Sequence, residues 1–452
     1  MRARALGALL AAGLALASTE AAAQEPPKRD MPDYEGRPPP GETPGEVLLW
    51  VPRVILSPVY FVSEYLIRKP FGATITWAER SNIPRTLYDF FAFGPDHKSG
   101  IVPMAFIDFG FNPSVGLYGF WNDAGWKGHD LAVHGSFWTD DWLGGSFVDR
   151  FAFHKKDTVQ LRLLGVRRPD HVFYGIGPTS LGSSQSRYGQ ERVDVAALVT
   201  FRPWRASKIE AGTGVRYSTF FDGHYGNDPG ILESAKAGVF PLPDGFASGY
   251  TATTTDLLVA LDSRRPFPAT GSGVRLEAQA EQGSDVKQNP GSGWLHYAAS
   301  AGGYLDVNGH RRVLSLEATA MFSDPLGARP VPFTELVTLG GDLPMPGDFP
   351  ATMQGFYPGR MVGRSGAVGT LRYSWPIGPW VSGSLQAAVG NVFGDHLDGF
   401  DTKLLRFSGA FGLQTDSSPD SNFDVVIGFG TETFEHGAQI DSIRVALGIS
   451  RF

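Results

Sequence analysis

The sequence predicts an all-β fold, a sixteen-stranded antiparallel transmembrane β-barrel with a short N-terminal helical segment. Three observations predict this fold. From about residue 100, apolar and polar residues alternate with a period of two, as on a strand with one apolar face. The alternating segments approach the roughly 9–11 residues of a tilted membrane strand. The chain also combines 57 Gly, 32 Phe, 14 Tyr and 10 Trp, a composition typical of barrels with aromatic girdles.

The first residues have the features of a secretory signal peptide, which we predict over residues 1–23. A basic start at 1–4 precedes an apolar run at 5–17, and Ala21-Ala22-Ala23 ends the segment. A membrane anchor is the alternative, but the run is shorter than the about 20 residues of a spanning helix. Residues 24–45 are rich in proline and charge, which predicts a disordered lead-in.

Residues 46–98 predict a periplasmic amphipathic helical segment. Ser57-Pro58 is a typical helix start and Lys69-Pro70 a typical stop, so the pattern predicts a helix over about 58–68. A second helix is predicted over 84–91. We expect these helices to pack on the barrel or plug its periplasmic mouth. The alternative is a helix that lies in the interface of the inner leaflet.

Residues 99–452 form the predicted barrel. Alternating segments number sixteen, and bacterial barrels have an even number of strands. The predicted strands cover approximately 101–111, 113–121, 129–138, 143–153, 157–167, 188–202, 206–219, 249–262, 271–282, 294–307, 310–323, 366–376, 380–391, 404–416, 421–432 and 441–452.

The connections between these strands predict the orientation of the barrel. Most connections after even-numbered strands are short, whereas most after odd-numbered strands are long. Short turns belong to the periplasm and long loops to the outside of the cell. The sequence therefore predicts a protein of the Gram-negative outer membrane. The long connections are 168–187, 220–248, 324–365 and 392–403.

Composition and motifs exclude several kinds of chemistry. The absence of Cys excludes thiol catalysis, Cys-ligated zinc and disulfides, and a net charge of −7 argues against a nucleic-acid partner. The segment from Gly363 to Ala367 departs from G-x-S-x-G at its last position, and no H-E-x-x-H occurs among the 10 His. We expect no enzymatic activity, no catalytic residues, no metal site and no cofactor.

The connection 324–365 carries a motif that resembles a known family. Leu339-Gly340-Gly341 precedes Met353-Gln354-Gly355-Phe356, and Arg360 follows shortly after. This pattern resembles the sixth-loop signature of the bacterial surface antigen family of BamA/TamA-type barrels. Segments 173–177, 262–271 and 389–393 also resemble family motifs, so the resemblance covers about 100–452. It implies that this loop folds back into the barrel.

The sequence departs from the family at two linked places. Gln354 stands where the family has a loop arginine, and Ala388, Gln386 and Arg372 replace family residues on the barrel wall. Because a buried charge without its partner is costly, loss of both ends of an ion pair is coherent. We expect Gln354 to bond with Gln386, or Arg360 or Arg364 to meet lumen acids such as Glu317 or Glu277. The alternative is a loop that simply plugs the lumen.

The family usually carries periplasmic POTRA modules, and residues 24–98 show no POTRA pattern. The resemblance therefore implies a short branch without POTRA domains. It implies assembly of outer-membrane proteins, translocation, or lipid or protein transport, through a seam between the first and last strands. Gly448 and Phe452 are the predicted seam residues. The predicted polar lumen residues are Arg275, Glu277, Glu317, Arg372 and Gln386.

Two other functions compete with this hypothesis. A passive or plugged pore fits a lumen lined by charges of both signs. A structural barrel could instead dock a partner, or a second copy of itself, through its amphipathic helix. The expected partners are outer-membrane lipid including lipopolysaccharide, together with client proteins in the first hypothesis and a homo-oligomer in the last.

Overall fold

The computed structural model describes residues 89–154, 156–265, 271–288, 290–307, 309, 311–341, 353–377, 381–415 and 422–450. The predicted signal peptide, the lead-in and most of the helical segment lie outside these residues, as does Phe452. Within the described residues, no helix has both the length and the apolar character needed to cross a membrane.

Sixteen antiparallel strands form a closed barrel, which confirms the predicted fold class. Each strand pairs with the next along the chain, and the last pairs with the first. The strands are β1 Ser99–Asp108, β2 Ser114–Trp121, β3 His129–Phe137, β4 Leu143–His154, β5 Asp157–Phe173, β6 Ser186–Phe201, β7 Lys208–Asp222, β8 Tyr250–Asp262, β9 Gly273–Asp285, β10 Gly293–Asp306, β11 Val313–Pro325, β12 Ser365–Pro376, β13 Val381–Phe393, β14 Arg406–Thr415, β15 Asn422–Thr431 and β16 Ile440–Ser450.

The remaining elements lie before the barrel and in its connections. A two-residue strand, Ala92–Phe93, precedes β1 and pairs with its first residues. Helix α1, Ile231–Lys236, lies between β7 and β8. Between β11 and β12, Val337–Leu339 pairs with Met361–Gly363. The 3-10 turns are Pro95–His97, Gly182–Ser184, Phe333–Glu335, Asp395–Leu397, Thr402–Leu404 and Phe434–His436.

The barrel wall is apolar outside and polar inside, the reverse of a soluble sandwich. On β9, Val274 and Leu276 are 55% and 50% exposed, whereas Glu277 is 3% exposed. The period-two alternation therefore places aliphatic side chains outward and charged ones toward the lumen. An outward apolar belt on a closed sheet is the form in which strands cross a bilayer.

An apolar core fills the lumen at the end of the barrel that carries the long connections, here called the loop end. Phe333 from the β11–β12 connection packs against Phe220, with ring centroids 4.9 Å apart, and against Tyr188 at 5.1 Å. Phe240 and Phe246 from the β7–β8 connection join the same cluster. These side chains form a buried apolar cluster inside the loop end of the barrel.

Candidate functional site: loop six at the seam

The connection between β11 and β12 is called loop six, and its described residues at 337–339 and 353–361 lie inside the lumen. Its residues Met353 and Phe356 are fully buried, in a cluster with Val337, Leu339 and residues of the barrel wall. The family motif thus lies on the inner wall, along strands β13 to β16. Residues 353–360 of this loop are called the docked segment.

Hydrogen bonds hold the backbone of the docked segment to three different strands. The Gly355 N–H donates to Ser408 Oγ on β14 at 2.9 Å, and Ser442 Oγ on β16 donates to the Gly355 carbonyl at 3.0 Å. The Gln354 N–H donates to Gln386 Oε1 on β13 at 3.4 Å. The expected bond between Gln354 and Gln386 is therefore made through the Gln354 backbone.

A slot lined by glycines receives the docked segment on β15. A Cβ built on Gly355 would lie 2.0 Å from the Phe429 carbonyl oxygen, and one built on Gly428 would lie 2.8 Å from Gly355 Cα. A Cβ on Gly430 would meet the Phe356 ring at 2.3 Å. Backbone approaches backbone here more closely than any side chain allows. In the sequence, the slot corresponds to the alternation of Gly428 and Gly430 with the outward residues Ile427 and Phe429, a pattern that could have indicated it.

The seam between β16 and β1 is the shortest ladder in the described barrel. Its register pairs are Ala446 with Asp108, Leu447 with Ile107, and Gly448 with Phe106. Gly448 has a φ of +137°, and a Cβ there would lie 2.2 Å from the Ala105 carbonyl oxygen. Gly448 is thus placed in the seam, as predicted, where close approach of the two backbones requires glycine.

A buried ion pair crosses this short ladder. Arg444 Nη2 on β16 lies 2.9 Å from Asp108 Oδ2 on β1, and the two residues are 1% and 4% exposed. Arg444 Nη1 also donates to the Gln354 carbonyl at 3.5 Å. Arg444 on β16 therefore contacts both β1, across the seam, and loop six. Asp108 and Arg444 are called the seam latch.

Arg360 does not meet Glu317 or Glu277, so that expectation was wrong. Its guanidinium lies 2.9 Å from Asp441 and stacks over the Tyr174 ring at 4.4 Å. Glu317 stands opposite Thr370 in the body of β12, whereas Arg360 precedes the first residue of that strand. The distance along the barrel axis separates them.

Arg364 also differs from the expectation. It lies 3.2 Å from Asp395 and 3.7 Å from Asp324, both at the loop end. Asp324, Asp395 and His396 bring three ligand atoms within 4.8 Å of one another. Arg364 supplies positive charge at this cluster, which lies on the surface.

The predicted polar lumen residues face inward but do not form one site. Arg275 pairs with Glu277 on its own strand. Arg372 donates to Ser384 at 3.2 Å and to Gln414 at 2.8 Å. Glu317 is buried in the wall. Gln386 is the member of this set that contacts the docked segment.

The root of loop six is anchored on the opposite wall. Glu335 accepts a hydrogen bond from Arg216 on β7 at 2.7 Å, and Arg216 also bonds with Glu281 on β9 at 2.9 Å. Asp194 on β6 completes the cluster, 2.9 Å from the Arg216 Nε. The described residues of loop six are therefore held by two sets of buried polar contacts, one at Arg216 and one at the seam latch.

Polar contacts at the loop end join the β5–β6 connection to the last strands. Glu432, just beyond β15, accepts hydrogen bonds from the Gly182 N–H at 2.9 Å and from Arg406 at 2.6 Å. Burial disfavours the Glu432 carboxylate, but these two donors outweigh it and hold its pKa below the ordinary value. Arg406 also donates to the Ser180 carbonyl at 2.6 Å. Ser180, Gly182, Arg406 and Glu432 are together called the lid.

Sequence reasoning missed Asp108, Ser408, Ser442 and Arg444. Their positions on the polar face of the strands placed them in the lumen, but their partners are distant in the chain. Arg444 and Asp108 are separated by 336 positions. The closure of the barrel brings them together.

Comparison with known proteins shows the fold. No family model and no curated protein sequence matches this chain. The structure is similar to that of BamA from Haemophilus ducreyi lacking POTRA domains 1–3, with a TM-score of 0.50 and 14% sequence identity over 78% of this chain and 70% of that one. CdiB from Acinetobacter baumannii gives a TM-score of 0.46 at 11% identity, over 77% of this chain and 59% of CdiB. The barrel thus shares the overall fold of BamA.

Proposed function

We propose that this protein is an outer-membrane barrel that assembles or translocates other polypeptides, or transports lipid or protein, through its seam. The observation that carries the proposal is the seam latch, because Arg444 joins a three-pair seam to loop six. The resemblance of the loop-six motif to the bacterial surface antigen family points to the same class of function.

The contents of the loop end support a route through the wall. The apolar core and the lid lie in the lumen there, in the way of an extended chain that follows the barrel axis. The seam is the wall's shortest ladder among the described strands. A strand edge that opens into the bilayer offers backbone donors and acceptors to an incoming strand.

The orientation follows from the connections. The long ones, with the lid, face the outside of a Gram-negative cell, and the short turns face the periplasm. The outward apolar belt contacts outer-membrane lipid, including lipopolysaccharide. Client polypeptides are the proposed partners at the seam.

A disulfide across the seam tests this proposal, since the chain contains no Cys. The variant Ile107→Cys with Leu447→Cys joins a facing seam pair. The control, Leu276→Cys with Ala301→Cys, joins a facing pair in the full β9–β10 ladder. Each is expressed as the sole copy, and outer-membrane proteins are quantified. We expect the seam lock to reduce their amount, with recovery on reduction. If the two disulfides change the amount of outer-membrane proteins equally, the proposal is wrong.

A plugged pore is the second candidate, because the inward face retains charges of both signs such as Arg275, Glu277 and Arg372. Deletion of residues 340–362 removes the docked segment. If loop six plugs a pore, single-channel current in planar bilayers should rise from the wild-type level. Unchanged current means that the core and lid close the barrel without this segment.

A further inference from the structure

A groove crosses the outward face of β3, β4 and β5 near the loop end. Its floor is a row of three glycines, one on each strand, in which Gly145 faces Gly135 on one side and Gly165 on the other. These positions belong to the same alternation that exposes Phe137 and Leu143 on the outside of the barrel. The cavity over this floor has a volume of about 620 Å³. The three glycines and the space above them are called the wall groove.

Large side chains stand on both sides of the glycine floor and form two ridges. Each ridge crosses the same three strands, because its members are register partners. The ridge toward the loop end contains Phe137, Leu143 and Arg167, and the other contains Val133, Phe147 and Leu163. The ridges lie four positions apart along each strand, which is about 13 Å at the usual rise per residue. The wall groove is therefore a channel one side chain deep that accommodates an extended apolar chain.

Packing within the described part of the chain does not explain the glycines of this floor. A Cβ built on Gly135 or Gly165 meets no described atom within 4 Å, and one on Gly145 meets a single backbone oxygen at 3.5 Å. Elsewhere in the described barrel, a ring from the next strand covers an outward glycine, as Phe429 covers Gly409. Glycine weakens a strand, and within a strand it often marks the close approach of a ligand. A molecule from outside the chain, lying on the floor, accounts for these residues.

A cation held in place stands on the loop-end ridge of the wall groove. Arg167 pairs with Glu191 on β6, and its guanidinium lies over the Phe221 ring, 5.2 Å from the centroid. An arginine has five N–H donors, and the bond to Glu191 uses one of them. The guanidinium therefore keeps donors for a phosphate, which it binds by charge-assisted hydrogen bonds. A lipid that carries a phosphate above an apolar chain matches both the ridge and the floor.

We propose that the wall groove binds one acyl chain of lipopolysaccharide and that Arg167 holds a phosphate of the same molecule. The groove lies in the apolar belt of the wall, so membrane lipid surrounds it. The choice of lipopolysaccharide rests on the orientation given with the proposed function, which places the loop end in the outer leaflet. Lipid tails are as apolar as the wall, so retention comes from closer contact. A chain in the groove touches the floor and both ridges, whereas a chain on a flat wall touches one side.

Filling the floor tests the binding of the acyl chain. Gly165→Leu places a side chain in the wall groove. The matched control is Gly303→Leu on β10, another outward strand glycine whose Cβ meets no described atom within 4 Å. Each protein is purified in detergent, incubated with lipid A, the phosphorylated and acylated part of lipopolysaccharide, and measured by native mass spectrometry. We expect one retained lipid A on the wild type and on the control, and its loss from Gly165→Leu. Equal occupancy of the three proteins, at any level, overturns the site.

Arg167→Gln tests the phosphate contact, with Arg167→Lys as the variant that keeps the charge. We expect the Kd for lipid A to rise about tenfold in Arg167→Gln, as for loss of one hydrogen bond to a charged group, and less in Arg167→Lys. An unchanged Kd in Arg167→Gln overturns the phosphate contact. The same titration is made with phosphatidylethanolamine, and tighter binding of that lipid overturns the choice of lipopolysaccharide. The seam lock does not touch the wall groove, so the two proposals fail separately.

Discussion

The wall between β6 and β7 and the seam between β16 and β1 each contain a buried arginine–aspartate pair at 2.9 Å. Fourteen register pairs also join β6 to β7, from Tyr188 to Phe201. Three join β16 to β1. In the wall, the Arg216–Asp194 pair adds to a ladder that is complete without it. At the seam, the ion pair stands where most of the ladder is missing.

This difference teaches how loop six is coupled to the barrel. Arg216 connects its root to a rigid wall, and Arg444 connects its docked segment to the place where the wall is weakest. Because Arg444 contacts both, displacement of the docked segment would change the contacts of the seam.

The largest expected effect on the seam is that of Arg444→Ala. It removes the cation that balances the buried Asp108 carboxylate, which typically destabilises by about 3–5 kcal/mol. The free energy of unfolding, measured with denaturant in lipid vesicles, should fall by this order. Amide exchange at Ile107 and Phe109 should rise.

Arg216→Ala is the control that can break the comparison. It removes an equally buried arginine, but the amides of β6 and β7 should stay protected because their ladder is continuous. If exchange rises equally in both places, the ion pair at the seam has no special role. A double-mutant cycle of Arg444→Ala with Asp108→Asn then measures how much of the lost free energy of unfolding comes from the Asp108–Arg444 interaction.

Gly355→Ala should have the next largest effect. Its Cβ would overlap the Phe429 carbonyl, so the docked segment must leave the slot on β15. Overpacking of this kind typically costs about 1–3 kcal/mol. Spin labels on the docked segment and on β15 should show a longer distance. Gly369→Ala, whose Cβ meets nothing within 4 Å, is the control. An unchanged distance in Gly355→Ala contradicts the tight slot.

The smallest expected effect concerns pH and the lid. The pKa of Glu432 is held below the ordinary value of 4.5, so its carboxylate stabilises the folded lid above that pH. This contribution, about 1 kcal/mol or less for a group that is still partly exposed, is lost as pH falls through the lowered pKa. The Tm difference between wild type and Glu432→Gln should shrink between pH 7 and pH 3. A constant difference contradicts the ionic role.

The strand pattern and its faces could be predicted from the sequence because they are local properties. Period-two alternation alone predicted which side of the wall is faced by Val274, Leu276 and Glu277. Gly448 was placed in the seam because the strand count set β16 beside β1. The loop-six motif also identified the segment that lies in the lumen.

The partners of Arg360 could not be predicted in this way. The sequence offered several inward acids, and the choice among them depended on height along the barrel axis. Asp441 lies at the loop end with Arg360, whereas Glu317 lies deeper in the wall.

The sequence by itself determined sixteen strands, their order, their apolar and polar faces and the connection that enters the lumen. These follow from residue spacing over a few positions. The tertiary structure alone decided that the seam has three pairs, that Asp108 meets Arg444 and that Ala92–Phe93 pairs with Gly100 and Ser99 of β1. Register at closure depends on the stagger summed around the whole barrel, and no local pattern contains that sum.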